Sequence, residues 1–400
     1  MTGFAANAPV IWPRPADWGS SVRETLGWFT EVLQAGSGRT VHRSLRFAPR
    51  RSFSFDAVAD SQERRVIDAV MRTWGGRRWL LPIWPDQQML TAPVAVGAIA
   101  IPCRTAGYDF VAGGRAVLWN SVTQWEVVHI EAIAVDSLAL SLPLSGAWRR
   151  GTRLLPLRWA RMDASSSIRT ITDTLDRPRL SFTIDEPCDW PEILPATEYR
   201  DHPVLTIRPD FGEDGEIGYS RLLSTVDNGT AMPVVADIAG VAQRTVRSVW
   251  ELWGRAEQAA FRSLLYGLRG RALPLWVPSW QQDFRLVLPV TASAVSITVE
   301  WAGYTLFGSL QPNRRDIALH LVDGTILYRR ITASTDLGGT ERLTLDNPLG
   351  RAVAPAQVRA ISFMVLCSQA SDQVDIEHIT GGDGRARCIL PWQEVVPDGP

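Results

Sequence analysis

Lysine is absent from this 400-residue chain, and all 41 of its basic residues are arginine. Without lysine there is no GxxxxGKS/T phosphate loop, which excludes the usual nucleoside-triphosphate cradle. Rigid forked guanidinium donors replace flexible ammonium groups, a substitution suited to carboxylate contacts at interfaces. Cysteine is scarce. Cys103, Cys188, Cys367 and Cys388 lie far apart in no CxxC or Cys/His spacing, which argues against structural zinc and a disulfide framework. A net charge of −1 supplies no global field for gripping nucleic acid or an anionic membrane. Long hydrophobic runs are missing as well. The longest, Met89 to Cys103, is interrupted by Thr91, Pro93 and Gly97, so no membrane insertion is expected. The start, Met1 to Asn7, has neither a basic n-region nor an apolar h-region, so no signal peptide is expected and folding takes place in a cytoplasm.

Catalytic patterns are missing too. Gly36-Ser37-Gly38 lacks the frame of a GxSxG elbow, and no GxGxxG opens a helix after a strand. His42, His129, His202, His320 and His378 show no HxxxH or HExxH spacing. His129, His320 and His378 fall in predicted strands, where a histidine is ordinarily on the surface or a satisfied part of the core. The carboxylate-rich stretch Asp210 to Glu216 does not follow the ligand order of an EF-hand loop and reads as solvated linker. Arg149, Arg150 and Arg153, like Arg329 and Arg330, read as surface or interface pairs rather than a DNA-reading site. No catalytic residue, cofactor or metal site is therefore expected, and the chain is read as a non-enzyme.

What is present is a globular composition, 46% hydrophobic and 21% charged, with seventeen tryptophans. At roughly 100–200 residues per domain the length predicts two to four domains. One element occurs twice. Gly75-Gly76-Arg77-Arg78-Trp79-Leu80-Leu81-Pro82-Ile83-Trp84 returns as Gly270-Arg271-Ala272-Leu273-Pro274-Leu275-Trp276-Val277-Pro278-Ser279-Trp280, and Gly107-Tyr108 returns as Gly303-Tyr304, about 196 residues on. In the first copy Thr40 to Phe55 alternates as extended chain. Asp60 or Ser61 caps a helix whose Val66, Ile67, Val70, Met71 and Trp74 recur at helical spacing, and Gly75-Gly76 stops it. In the second, Ala260, Phe261, Leu264, Leu265 and Leu268 mark the helix and Gly270 ends it.

The expected class is mainly β, with two tandem β units, each carrying one packed helix and a β insertion. Residues 1–28 read as an irregular arm that packs on another surface. Unit 1 then spans 29–186 with its insertion at about 90–162, a linker runs over 187–221, and unit 2 spans 222–395 with its insertion at about 286–370. The hairpin predicted at Ile168–Ile171 and Leu180–Ile184 is matched by Val374–Ile379 and Arg387–Leu390, about 205 residues on.

Arg51-Ser52-Phe53-Ser54-Phe55, an amphipathic helix, a glycine stop and Arg78-Trp79-Leu80-Leu81-Pro82-Ile83-Trp84-Pro85-Asp86 together resemble the distal tail proteins of long-tailed phages and gene transfer agents. The pattern covers about 40 residues of each unit; in the second copy the acid, Asp283, stands three residues after Trp280. The resemblance implies tail-tube-like β units that close side by side into a ring at the tail tip. It implies a structural adaptor between the tail tube protein and the baseplate hub or receptor-binding tail fibre proteins, with DNA passing through without specific binding. The expected location is the virion, after synthesis in the host cytoplasm. Two units per chain fit a homotrimer presenting six similar faces, or a hexamer using one unit each. Trp79, Trp84, Trp276 and Trp280 are the candidate oligomer-interface residues. The central baseplate hub is the near alternative, and a tryptophan-rich carbohydrate-binding protein is the alternative of another class.

Overall fold

A computed structural model describes residues 10–36, 38–74, 76–164, 166–212, 215–309 and 311–395. Residues 1–9 of the expected arm, Ser37, Gly75, Glu213 and Asp214 lie outside the described residues. The chain is mainly β, as its alternating apolar pattern predicts.

The first half opens with β1 (Val10–Ile11), β2 (Val22–Gly27), β3 (Thr30–Gln34), β4 (Thr40–Ser44) and β5 (Arg50–Asp56). Helix α1 (Ser61–Thr73) and β6 (Arg78–Pro82) follow. An insertion holds β7 (Ala100–Pro102), β8 (Arg115–Ser121), β9 (Gln124–Ile133) and β10 (Ser137–Leu140). Strands β11 (Arg153–Met162), β12 (Ser167–Thr170) and β13 (Leu175–Ile184) return to the main sheet. The second half runs β14 (Glu216–Val226), β15 (Val234–Trp253), α2 (Gly254–Leu268) and β16 (Leu275–Pro278). Its insertion holds β17 (Ser296–Glu300), β18 (Asp316–Leu321), β19 (Ile326–Asp336) and β20 (Thr340–Leu345). It ends with β21 (Val358–Gln369), β22 (Gln373–His378) and β23 (Arg385–Glu394).

Strand pairings in the two halves correspond one to one. In the first, β11 holds β6, β8 and β13, β13 also holds β5 and β12, and the chain β8, β9, β10, β7 forms the insertion. In the second, β21 holds β16, β18 and β23, β23 holds β15 and β22, and the insertion is β18, β19, β20, β17. In the opening strands the registers agree residue for residue. Arg23 pairs with Ser54 as Glu216 pairs with Arg247, an offset of 193 (216 − 23 and 247 − 54). Thr30 with Ser44 matches Leu223 with Asp237 at the same offset, so β2 and β3 together correspond to β14, and β4 and β5 to β15. Both insertions carry a bulge at the same place, after Ile130–Leu140 and after Ile331–Leu345.

Two expected segments differ from this. Residues 10–28 are not an irregular arm. Trp12 is fully buried against Trp79 and Phe182, with ring centroids 5.7 and 5.6 Å away, and its N–H donates to the Leu80 carbonyl. The expected linker, 187–221, contains the opening of the second half. Leu205 N–H donates to the Trp276 carbonyl as Trp12 does to Leu80, and Asp210 N–H donates to Val249 as Asp17 does to Asp56. A large aromatic in place of exposed chain is strong glue, since truncating a buried Trp costs about 3–5 kcal/mol.

The helices form for ordinary reasons and differ in environment. Ile67, Val70, Met71 and Trp74 turn one face of α1 to the first core, but Ile67 is the helix's only buried residue among those described. Helix α2 buries Phe261, Leu264, Leu265 and Leu268 in its own core. It also buries Arg255, Arg262 and Tyr266, because its outer face meets Asp86, Glu24 and Trp28 of the first half, while Gln258 donates to the Gly384 carbonyl. Strand β2 serves both halves, with Val22 in the first core and Leu26 in the second.

Candidate assembly edges and the junction between the halves

Strand β2 pairs with β5 on one side and with β22 on the other, so a continuous sheet crosses from one half to the other. The register runs Val22–His378, Arg23–Glu377, Glu24–Ile376, Thr25–Asp375 and Leu26–Val374. On the solvent side Arg23 is 3.2 Å from Glu377, and the Thr25 hydroxyl donates to Asp375 at 2.7 Å.

Beneath this seam lies a buried ionic network. Glu24 accepts from Arg51 Nε at 2.6 Å, from Arg262 Nη2 at 2.8 Å, and stands 2.8 Å from His378 Nε2. Asp109 binds Arg51 and Arg158, and Arg158 reaches on to Glu186 at 3.1 Å. Burial alone would raise the Glu24 carboxyl, but Arg262 and Arg51 outweigh it and hold the group well below its usual range. Burial opposes ionisation of Asp109 too, and Arg51 and Arg158 bring it down to about 2. Burial, reinforced by Arg262 and Arg255, keeps His378 below its ordinary value despite Glu24. Three guanidiniums (Arg51, Arg158, Arg262) thus face three carboxylates (Glu24, Asp109, Glu186), and a neutral His378 completes a balanced set.

A second contact flanks the network. Arg255 of α2 donates to Asp86 at 2.7 Å and to the Gly382 carbonyl at 2.7 Å, while Gly382 N–H donates to Pro85. At Gly107, with φ of +77°, a Cβ would lie 3.0 Å from Arg255 Cγ and 3.1 Å from Ala259 Cβ, so only glycine lets α2 approach this closely.

The same two edges are open at the other ends of the halves. Among the described residues β14 pairs only with β15, and β12 only with β13; both are exposed along their whole length. Strand β12 is the counterpart of β22: Ile168–Pro178 matches Ile376–Cys388, and Arg169–Arg177 matches Glu377–Arg387. Each half also carries an exposed apolar pair near a hairpin tip, Leu33 with Val41 (63% and 68% exposed) and Val226 with Val234 (68% and 69%). An exposed, unpaired edge beside apolar side chains is a template for another chain.

The four predicted tryptophans divide. Trp79, Trp84 and Trp276 are buried inside the chain and present no face to a neighbour, which corrects the expectation for those three. Their rings fill space inside the chain: Trp79 packs edge-on to Trp12 and Phe182, Trp84 edge-on to Trp119, and Trp276 lies against Tyr199. Trp84 is not in the strand but in a 3-10 turn, Trp84–Asp86. Trp280 is half-buried against His320 and lines a cavity of about 130 Å³ with Phe211, Val277 and Cys367. The sequence pattern gives little sign of the charged junction. Its only available signal was a set of arginines and acids set among apolar strand and helix positions.

Comparison with protein-family models and with curated proteins finds no match. Among the described residues no group of three or more His, Cys, Asp or Glu is placed to hold a metal ion, and no helix is long and apolar enough to cross a membrane.

Proposed function

We propose that this chain is a ring-forming structural component of a phage-type tail tip, an adaptor between the tail tube and the hub or receptor-binding proteins. In this reading the two halves are products of a duplication, DNA passes through the ring without specific contact, and no reaction is catalysed. The observation that carries it is the seam. One half joins the other through the β22 and β2 edges, and among the described residues the equivalent edges, β12 and β14, are open at opposite ends of the sheet. A contact between unlike edges propagates, and it closes when the rotation per step divides the circle. Three chains then give six similar units, and the exposed hairpin tips serve as the surface for the adjoining ring or hub.

The test is native mass and imaging of the purified full-length protein. A closed particle of about 133 kDa (3 × 44.3 kDa) with a central channel supports the reading. Monomers at all concentrations, with no ring in images, refute it. The hub alternative predicts the same three-fold symmetry and is separated by ring diameter and by neighbours in the assembled tail. The carbohydrate-binding alternative draws little from the fold, because only Trp253 and Trp301 of the seventeen tryptophans are exposed.

A further inference from the structure

From the internal seam we infer the residue-by-residue register of the contact between two copies of this chain: β12 of one copy pairs antiparallel with β14 of the next. The inference deepens the ring reading and rests on it. Its geometry comes from shifting each seam residue to its counterpart in the other half. Residues of β2 move by 193, as the matched Arg23–Ser54 and Glu216–Arg247 pairs fix (216 − 23). Residues of β22 move back by 208: Phe55–Leu180 and Ser248–Leu390 match β13 to β23 at 210 (390 − 180), so Pro178 answers to Cys388, and their partners are Ile168 and Ile376 (376 − 168). Val22–His378, Arg23–Glu377, Glu24–Ile376, Thr25–Asp375 and Leu26–Val374 within the chain become Gly215–Thr170, Glu216–Arg169, Ile217–Ile168, Gly218–Ser167 and Tyr219–Ser166 between chains.

Nothing in this shift forces the side chains to agree, yet they do. The solvent-side ion pair Arg23–Glu377 reappears as Glu216–Arg169 with its signs exchanged. Next to it, two isoleucines left 37% and 36% exposed, Ile168 and Ile217, come face to face. The exchange also rejects errors. A β12 edge offered to β2 sets Arg169 against Arg23, and a β22 edge offered to β14 sets Glu377 against Glu216. Like charges directly opposite across strands destabilise the pairing, so each edge accepts one partner. The surroundings follow the same rule. Within the chain the loop at Gly381–Gly382 covers Trp18 and the Trp84-Pro85 turn. Its counterpart in the first half is the Ile171–Thr174 turn between β12 and β13. That turn carries Ile171, 48% exposed, and the matching receiver in the second half is the Phe211–Trp280 cavity, where Phe211 is 52% exposed. The internal seam covers one such site, and the other is left for a neighbour.

Two variants of the full chain test this. In Ser167→Cys/Gly218→Cys the paired residues lie about 4.5–5.5 Å apart at Cα, within disulfide reach. Mild oxidation is then expected to give covalent dimers and trimers on a denaturing gel, absent from the parent. Arg169→Glu and Glu216→Arg are each expected to raise the concentration needed for assembly about tenfold, through three weakened contacts per trimer, and the double charge swap to restore it. If the parent assembles but the cysteines stay unlinked and the charge variants assemble normally, this register is wrong while the ring stands. If the parent stays monomeric and the cysteine variant unlinked at every concentration, both fall.

Discussion

Replacing Glu24 by glutamine tests whether the buried network holds the two halves together. Glu24 is 0% exposed and accepts from two guanidiniums. The amide keeps the shape, removes the charge and turns an NH2 toward a cation. Three arginines then face two carboxylates, of which Asp109 is buried and Glu186 reaches solvent. Removing one partner of a buried ion pair costs about 3–5 kcal/mol, a large part of a total stability of about 5–15 kcal/mol. The loss falls at the seam, so hydrogen exchange of the β2 and β22 amides should rise by about two to three and a half powers of ten, at 1.4 kcal/mol for each tenfold. Amides of the insertion strands β10 and β20, whose buried residues lie in separate cores, should change little. Arg262→Met in the Glu24→Gln background restores the balance of Arg51 and Arg158 against Asp109 and Glu186, so the double variant should be more stable than Glu24→Gln alone. An increase below about fivefold at the seam, or a double variant worse than the single, would refute the view that these charges fasten the halves.

Acid should open the seam in stages. The folded value of His378 is depressed, so the stability it contributes is full above its ordinary 6.5 and is lost as pH falls below that point. Glu24 and Asp109 are also depressed, so their contribution is present above 4.5 and 3.8 and disappears as pH falls toward about 2 for Asp109. Exchange at β2 should therefore rise as pH falls from neutrality, after correction for intrinsic rates. Trp84→Ala should cost about 3–5 kcal/mol in urea unfolding with assembly lost only through unfolding, whereas Trp280→Ala should weaken assembly with a smaller loss of stability; equal effects on both readouts would count against the division. Gly107→Val should push α2 away and lower the thermal midpoint, and an unchanged midpoint would show that the Arg255 contact is slack.

The helices, the Pro82 and Pro278 strands and the closing hairpins are legible in the sequence because each pairs a simple periodicity with a glycine or proline boundary. Other matching segments of the two halves are as plain in the residues but sit at shifting offsets. Asp17-Trp18-Gly19 returns as Asp210-Phe211-Gly212, Pro93-Val94 as Pro289-Val290, and Leu140-Ser-Leu-Pro143-Leu144 as Leu345-Asp-Asn-Pro348-Leu349. A search at one fixed spacing passes over them, since loop-length differences accumulate along the chain. Strand β2 was illegible for another reason. Its Val-Arg-Glu-Thr-Leu-Gly run places Glu24 on a face that is buried, and alternation cannot reveal a buried carboxylate whose arginines come from residues 51 and 262. The long β21, Val358–Gln369, is buried over most of its length, so it shows no alternation at all.

The seam also sets an order of events. Arg23 and Glu377 are 354 residues apart in the chain, so on the ribosome β2 is complete long before its partner edge exists. Until β22 emerges, the nascent first half displays the β2 edge as well as β12, and neighbouring nascent chains could join through them. Arg23 opposite Arg169 would discourage that premature match. If the proposed ring forms, the charge reversal that orders it would thus act earlier as a timer, holding half-made chains apart until the last strands arrive to close the molecule on itself.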